Sequence, residues 1–207
     1  IIPRSGSSKR EIYRSLNLVS EFILNKVEVE HESIWIAQRE GRAKDGKDLT
    51  DPAILKMIHL VKRKERSISD FFNQMRVVPV SISYEFDPND LNKAKEVYEA
   101  EVNGYYRKKE NEDLESISRG ISGFKGSVVL NIGNVMNFKS DSYEDVAQQI
   151  TNEISNQFHN HSTNKDALSI LNEDLKLEDN EYFSKRLEDQ PDEVKSILLS
   201  QYANSTN

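Results

Sequence analysis

Ser33-Ile34-Trp35-Ile36-Ala37-Gln38-Arg39-Glu40-Gly41-Arg42-Ala43-Lys44-Asp45-Gly46 is the stretch on which the reading of this chain turns. Its first half is apolar and β-prone, so Ile34 to Ala37 reads as a strand buried on both faces, with Trp35 in the core. The second half changes character at once, with Arg39, Glu40, Arg42, Lys44 and Asp45 crowded around Gly41 and Gly46. A buried strand running into a charged, glycine-punctuated loop is how open α/β sheets present polar groups to a ligand. Glycine lets a ligand approach the backbone, and arginine offers a planar fork of donors to phosphate. A solvated surface loop would have the same composition, so the loop alone does not define a site.

Outward from this stretch, strand-like and helix-like segments alternate. Ile1-Ile2 reads as a strand end, followed by the turn-forming run Pro3-Arg4-Ser5-Gly6-Ser7-Ser8. Ser8 with Glu11 forms a capping box, and Ile12, Leu16, Val19 and Ile23 recur at helical spacing to about Asn25. Asp51 and Pro52 open a second helix carrying Ile54, Leu55, Ile58 and Val61. Ser67 caps a short helix through Phe71 and Phe72. Val77 to Tyr84 reads as a second strand, with Pro79 near its start. A helix from about 89 to 103 is closed by Gly104, and Gly126 to Gly133 reads as a third strand. Beyond Ser142 the pattern is helical: Val146, Ile150, Ile154 and Phe158 share a face, and shorter helices are expected near 163–174, 179–188 and 191–203. The expectation is an α/β fold, a mixed, largely parallel central sheet flanked by helices, with an acidic C-terminal helical extension. The division expected is an α/β domain over 1–139 and the extension over 140–207.

Composition narrows the function. The chain has 207 residues, 36% hydrophobic and 30% charged, with no cysteine, which excludes a disulfide framework and a thiol nucleophile. No window approaches the roughly 18 consecutive apolar residues of a membrane-spanning helix. Residues 1–76 carry 15 Lys and Arg against 11 Asp and Glu, a net of +4, and the remainder carries −11. The basic part holds the charged loop, so an anionic ligand is drawn there, while the acidic part argues against nucleic acid. Neither Gly-x4-Gly-Lys-Ser/Thr nor Gly-x-Gly-x-x-Gly is present, which weighs against a nucleotide-binding loop at 3–9. The opening on Ile1, without methionine or a leader pattern, reads as a chain that lacks an N-terminal portion.

Three segments in order resemble the glycerol-phosphate and lysophosphatidic acid acyltransferase superfamily. Ile1-Ile2-Pro3-Arg4 is similar to its strand ending in arginine, Glu40-Gly41-Arg42-Ala43-Lys44 to its Glu-Gly block, and Val77-Val78-Pro79-Val80 to its Val-Pro strand. The helix between the first two also matches, and the resemblance covers about residues 1–85. The Glu-Gly block departs from the common Phe-Pro-Glu-Gly-Thr-Arg-Ser form: Arg39 replaces the proline, and Arg42 follows Gly41 directly. The resemblance implies acyl transfer from acyl-CoA or acyl carrier protein to a glycerol-phosphate-type acceptor, with no other cofactor and no metal. It implies that Arg4, Ser5, Ser7, Arg42 and Lys44 hold the acceptor's phosphate, that Glu40 orients the arginines or a glycerol hydroxyl beside Gly41, and that Val78 and Pro79 form the acyl side. It also implies peripheral attachment to the cytoplasmic face of a membrane. The family's general base, the histidine of a His-x4-Asp block, is expected before Ile1; the alternative is a non-catalytic paralogue that binds a lipid or a protein. His161-x4-Asp166 fits the pattern literally, but its Ser, Thr and Asn read as helix caps. His159 with His161 offers a metal only two ligands, and His31 and His59 read as packing or surface residues.

Overall fold

The computed structural model describes residues 8–39, 41 and 43–205. In chain order the elements are α1 (Lys9–Leu24), α2 (Pro52–His59), α3 (Ile68–Met75), β1 (Val80–Tyr84), α4 (Asp90–Asn103), α5 (Glu112–Ser122), β2 (Val128–Ile132), α6 (Tyr143–Gln157), α7 (Ser162–Leu171), α8 (Glu181–Arg186) and α9 (Asp192–Ala203). The helix starts obey local chemistry. Ser8 Oγ accepts from the Glu11 N–H, and Glu11 Oε2 accepts from the Ser8 N–H at 2.7 Å. Asp51 Oδ1 accepts from the Ala53 N–H at 2.8 Å, with Pro52 at the first helical position.

The expected largely parallel sheet is not there. Among the described residues the sheet has two strands, β1 and β2, and they run antiparallel: Glu85 N–H donates to Ser127 O at 2.9 Å, and Gly133 N–H donates to Pro79 O at 2.9 Å. The remainder is mostly helical. Ser33 to Ala37, expected as a buried strand, forms no regular element, and no hydrogen bond links its main chain to another described residue. Trp35, expected in the core, is 67% exposed. Apolar, β-branched composition favours a strand only where a neighbour completes the ladder, and among the described residues none pairs with this stretch. The pair β1–β2 also inverts the usual alternation: Ser81 and Ser83 point inward, while Ile82, Tyr84 and Leu130 are exposed.

The chain divides into two compact units, each assembled from separate stretches. The first takes the chain up to 42 together with 49–79 and 132–154. Its core joins Ile23 and Leu24 of α1, Leu55 and Ile58 of α2, Phe71 and Phe72 of α3, and Val146, Ile150 and Ile154 of α6. Phe71 meets Phe72 edge to face at 5.1 Å, and Phe72 meets Phe138 at 6.2 Å, geometries that add to the area buried. Ser20, fully buried on α1, donates to Ile58 O at 2.7 Å and so ties α1 to α2.

The second unit takes 43–48, 80–131 and 155–207. Its core is built on α4, α7, α8 and α9, from Phe183, Leu187, Val194, Leu198 and Tyr202. Ala94 of α4 and Ala167 of α7 are both fully buried there. Small side chains at these positions let α9 approach both helices closely. Among the described residues no helix is long and apolar enough to cross a membrane.

Candidate functional site

The charged loop is pinned at its base by polar groups. Gln38 O accepts from the Asp51 N–H at 2.8 Å, and Gln38 Oε1 accepts from Thr50 Oγ1 at 3.0 Å. Thr50, buried, donates its N–H to Thr151 Oγ1 on α6 at 2.9 Å. Glu40 and Arg42 lie outside the described residues, as do Arg4, Ser5 and Ser7. Gly41 sits at φ +75° with open space around it.

Residues 43–48 belong to the second unit and are held within it. Lys44 Nζ is ion-paired with Glu96 Oε1 on α4, whose side chain is only 6% exposed, while that of Lys44 is 36% exposed. Asp45 O accepts from Asn204 Nδ2 at 2.8 Å, and Gly46 O accepts from Ser205 Oγ at 3.1 Å, both just beyond α9. Gly46 is required by its surroundings: φ is +73°, and a Cβ there would be driven into the main-chain carbonyl of Gln201. The arrangement presents one ammonium group on a fixed backbone, with a buried carboxylate behind it and water in front.

Val77, Val78 and Pro79 run extended into β1. Val77 O accepts from the Met136 N–H at 2.9 Å, and Pro79, which has no N–H to donate, is buried, whereas Val78 is 40% exposed. Of the residues expected to form a site, the structure thus places Lys44 against Glu96 in one unit, and Gly41, Val78 and Pro79 in the other.

The histidines take structural positions. His59 is buried, its Nδ1 2.9 Å from the Tyr143 hydroxyl and its ring 4.4 Å from Phe71. Burial lowers its pKa below the ordinary value, with the Arg66 main chain opposing and the Arg66 charge adding to the shift. His161 precedes α7 and donates its main-chain N–H to Asn164 Oδ1 at 2.8 Å, while Asp166 Oδ2 accepts from Asn180 Nδ2 at 3.0 Å. The literal His-x4-Asp match is therefore a helix cap and an inter-helix tie. His159 and His161 lie ring to ring at 4.7 Å, and among the described residues no group of three metal-ligating side chains converges.

Sequence reading passed over the most heavily bonded carboxylate in the second unit. Asp90, fully buried, accepts from Tyr182 Oη at 2.7 Å, Tyr202 Oη at 3.0 Å and Arg186 Nε at 2.9 Å. Burial first, and then the Asp90 charge, hold both phenols above their ordinary pKa. Beside this cluster lies an open depression of about 650 Å³, with Lys185 and Arg186 on its walls against Glu85, Asp166 and Glu181. Asp90 opens a helix after Pro88, where an acid reads as a dipole partner, and nothing local signals its three distant donors.

No family model, no curated protein and no solved structure matches the chain.

Proposed function

We propose that this chain is the acceptor-binding part of an acyltransferase that moves a fatty acyl group from acyl-CoA or acyl carrier protein to a glycerol-phosphate-type acceptor. The observation that carries the reading is the order and spacing of the three blocks, Ile1 to Arg4, Glu40 to Lys44 and Val77 to Val80. In support, Lys44 stands on a braced loop with part of its side chain in water, and Val78 and Pro79 lie in a hydrogen-bonded extended segment. Arg4, Ser5, Ser7, Arg42 and Lys44 take the acceptor's phosphate, the arginines by paired charge-assisted hydrogen bonds. Glu40 carries the same sign as phosphate, so it orients the arginines or a glycerol hydroxyl instead. Val78 and Pro79 face the acyl chain. The acceptor hydroxyl adds to the thioester carbonyl, the C–S bond breaks, and the hydroxyl proton passes through a general base to the leaving sulfur. The reading assigns that base to a His-x4-Asp block on the N-terminal side of Arg4, with the protein held peripherally at the cytoplasmic face of a membrane.

In the full gene product, Arg42→Ala raises the KM for glycerol 3-phosphate about tenfold, the value of one charge-assisted hydrogen bond, and leaves kcat within about twofold. An unchanged KM refutes the assignment. A second reading, a non-catalytic paralogue that binds a lipid or a protein, is favoured by the engagement of His161 and Asp166 in capping and inter-helix bonds. Acyl transfer by the full gene product excludes it; lipid binding without transfer supports it.

A further inference from the structure

Neither α4 nor the end of α9 has a functional reading in the sequence, yet together they hold residues 44–46. Lys44 meets Glu96 on α4, and the Asp45 and Gly46 carbonyls take hydrogen bonds from Asn204 and Ser205. Gly46 lies so close to the Gln201 carbonyl that no side chain fits between them. These contacts come from the middle of one helix and the end of another, and they act on both the side chain and the backbone of the loop. We infer that α4 and the end of α9 form a clamp that positions the loop, with Glu96 as a positioning residue that orients the Lys44 ammonium toward an incoming phosphate. The inference rests on the reading of Lys44 as a phosphate contact.

The physical argument is one of geometry and entropy. A lysine has four rotatable side-chain bonds, and ordering a free one against a ligand costs much of its rotamer entropy. Glu96, buried on a helix, fixes the ammonium before the ligand arrives. An ammonium has three donors, so one bond to Glu96 leaves two for phosphate oxygens. The carboxylate also lowers the net charge of the loop, which weakens attraction for simple anions and favours a ligand that accepts directed hydrogen bonds. Preorganisation of this kind raises affinity by lowering the ordering cost.

The test uses the full chain, with inorganic phosphate and glycerol 3-phosphate as probes in NMR titrations, and amide hydrogen exchange at 43–48 as the readout of the loop. Lys44→Ala weakens glycerol 3-phosphate binding about tenfold. Glu96→Ala weakens it about fivefold and speeds exchange at 43–48 about tenfold, whereas Glu96→Gln, which still accepts a hydrogen bond from Lys44, stays within about twofold of wild type. Asn204→Ala and Ser205→Ala change exposed or half-buried positions after α9, keep the fold, and speed loop exchange in the same direction. If Lys44→Ala weakens binding while Glu96→Ala leaves binding and loop exchange unchanged, the clamp is overturned and the phosphate reading stands. If Lys44→Ala has no effect on binding, the phosphate reading of this residue fails, and the positioning role that rests on it fails too. Equal losses in Glu96→Gln and Glu96→Ala overturn the orienting role of the hydrogen bond.

Discussion

Replacing Asp90 with alanine removes one acceptor from three donors in the second unit. Tyr182 Oη and Tyr202 Oη lose a carboxylate partner, and the Arg186 guanidinium loses its counter-charge. A hydrogen bond to a charged group contributes about 1.5 to 3 kcal/mol, and at the low end of that range the two phenols together put the loss near 3 kcal/mol. Arg186 adds less than a fully buried partner, because its side chain is 34% exposed and water reaches it once the carboxylate is gone. The total expected is about 3 to 4 kcal/mol, a large fraction of the stability of a domain this size. In urea, with a slope of about 2 kcal/mol per molar, the midpoint falls by about 1.5 to 2 M. Far-UV circular dichroism gives the transition, and amide exchange in α4, α8 and α9 shows that the loss is local to them. Asp90→Asn keeps one acceptor oxygen and loses roughly half as much. Arg186→Met is less damaging in the Asp90→Ala background than alone, with a coupling of about 1 kcal/mol or more. A loss below about 1 kcal/mol for Asp90→Ala, with no measurable coupling, refutes the account of Asp90 as the tie between α4, α8 and α9.

Three further outcomes follow from the geometry. His59 is held neutral in the first core with its pKa below 6.5, so the unfolded chain binds a proton that the folded one refuses; stability is full above about pH 7 and falls as pH drops toward 5, and His59→Gln flattens that acid limb in pH-dependent urea titrations. Gly46→Ala meets both a positive φ and the Gln201 carbonyl, and lowers stability by about 2 to 3 kcal/mol, whereas Gly41→Ala, with the same φ but open space, loses about 1 kcal/mol; equal losses, measured by thermal unfolding, contradict the close approach to α9. Tyr182 and Tyr202 have folded pKa values raised above the ordinary 10, so their contribution is intact below about pH 10 and is lost as pH rises further; spectrophotometric titration shows both ionising together with unfolding, and early ionisation of either counts against their burial around Asp90.

Local chemistry was legible wherever a few neighbouring residues decide it. The Ser8–Glu11 box, the Asp51-Pro52 start, the Ser67 cap and the Gly104 stop all read directly from the chain, because capping is settled within one turn. The helical face Val146, Ile150 and Ile154 was also visible, since a period of 3.6 survives in any packed helix. What failed was pairing. Ile34-Trp35-Ile36 has the composition of a central strand, but strand identity belongs to two segments at once, and among the described residues these have no strand partner. Ser81 and Ser83 face inward where alternation predicts apolar side chains; Ser81 meets polar main chain there, its Oγ donating to Gln157 O at 3.2 Å.

The candidate site divides along the same line. The sequence by itself determined a basic, glycine-marked loop, the residue types able to hold phosphate, the helix boundaries and the uneven distribution of charge, all of which depend on identity and short spacing. Only the tertiary structure decided that Lys44 is paired with Glu96, that Gly46 lies against the end of α9, and that Asp90 gathers Tyr182, Arg186 and Tyr202. Those residues stand 52 to 159 positions apart along the chain. Separation on that scale leaves no periodic trace in sequence, because what brings such groups together is the packing of whole helices rather than the preference of any one residue.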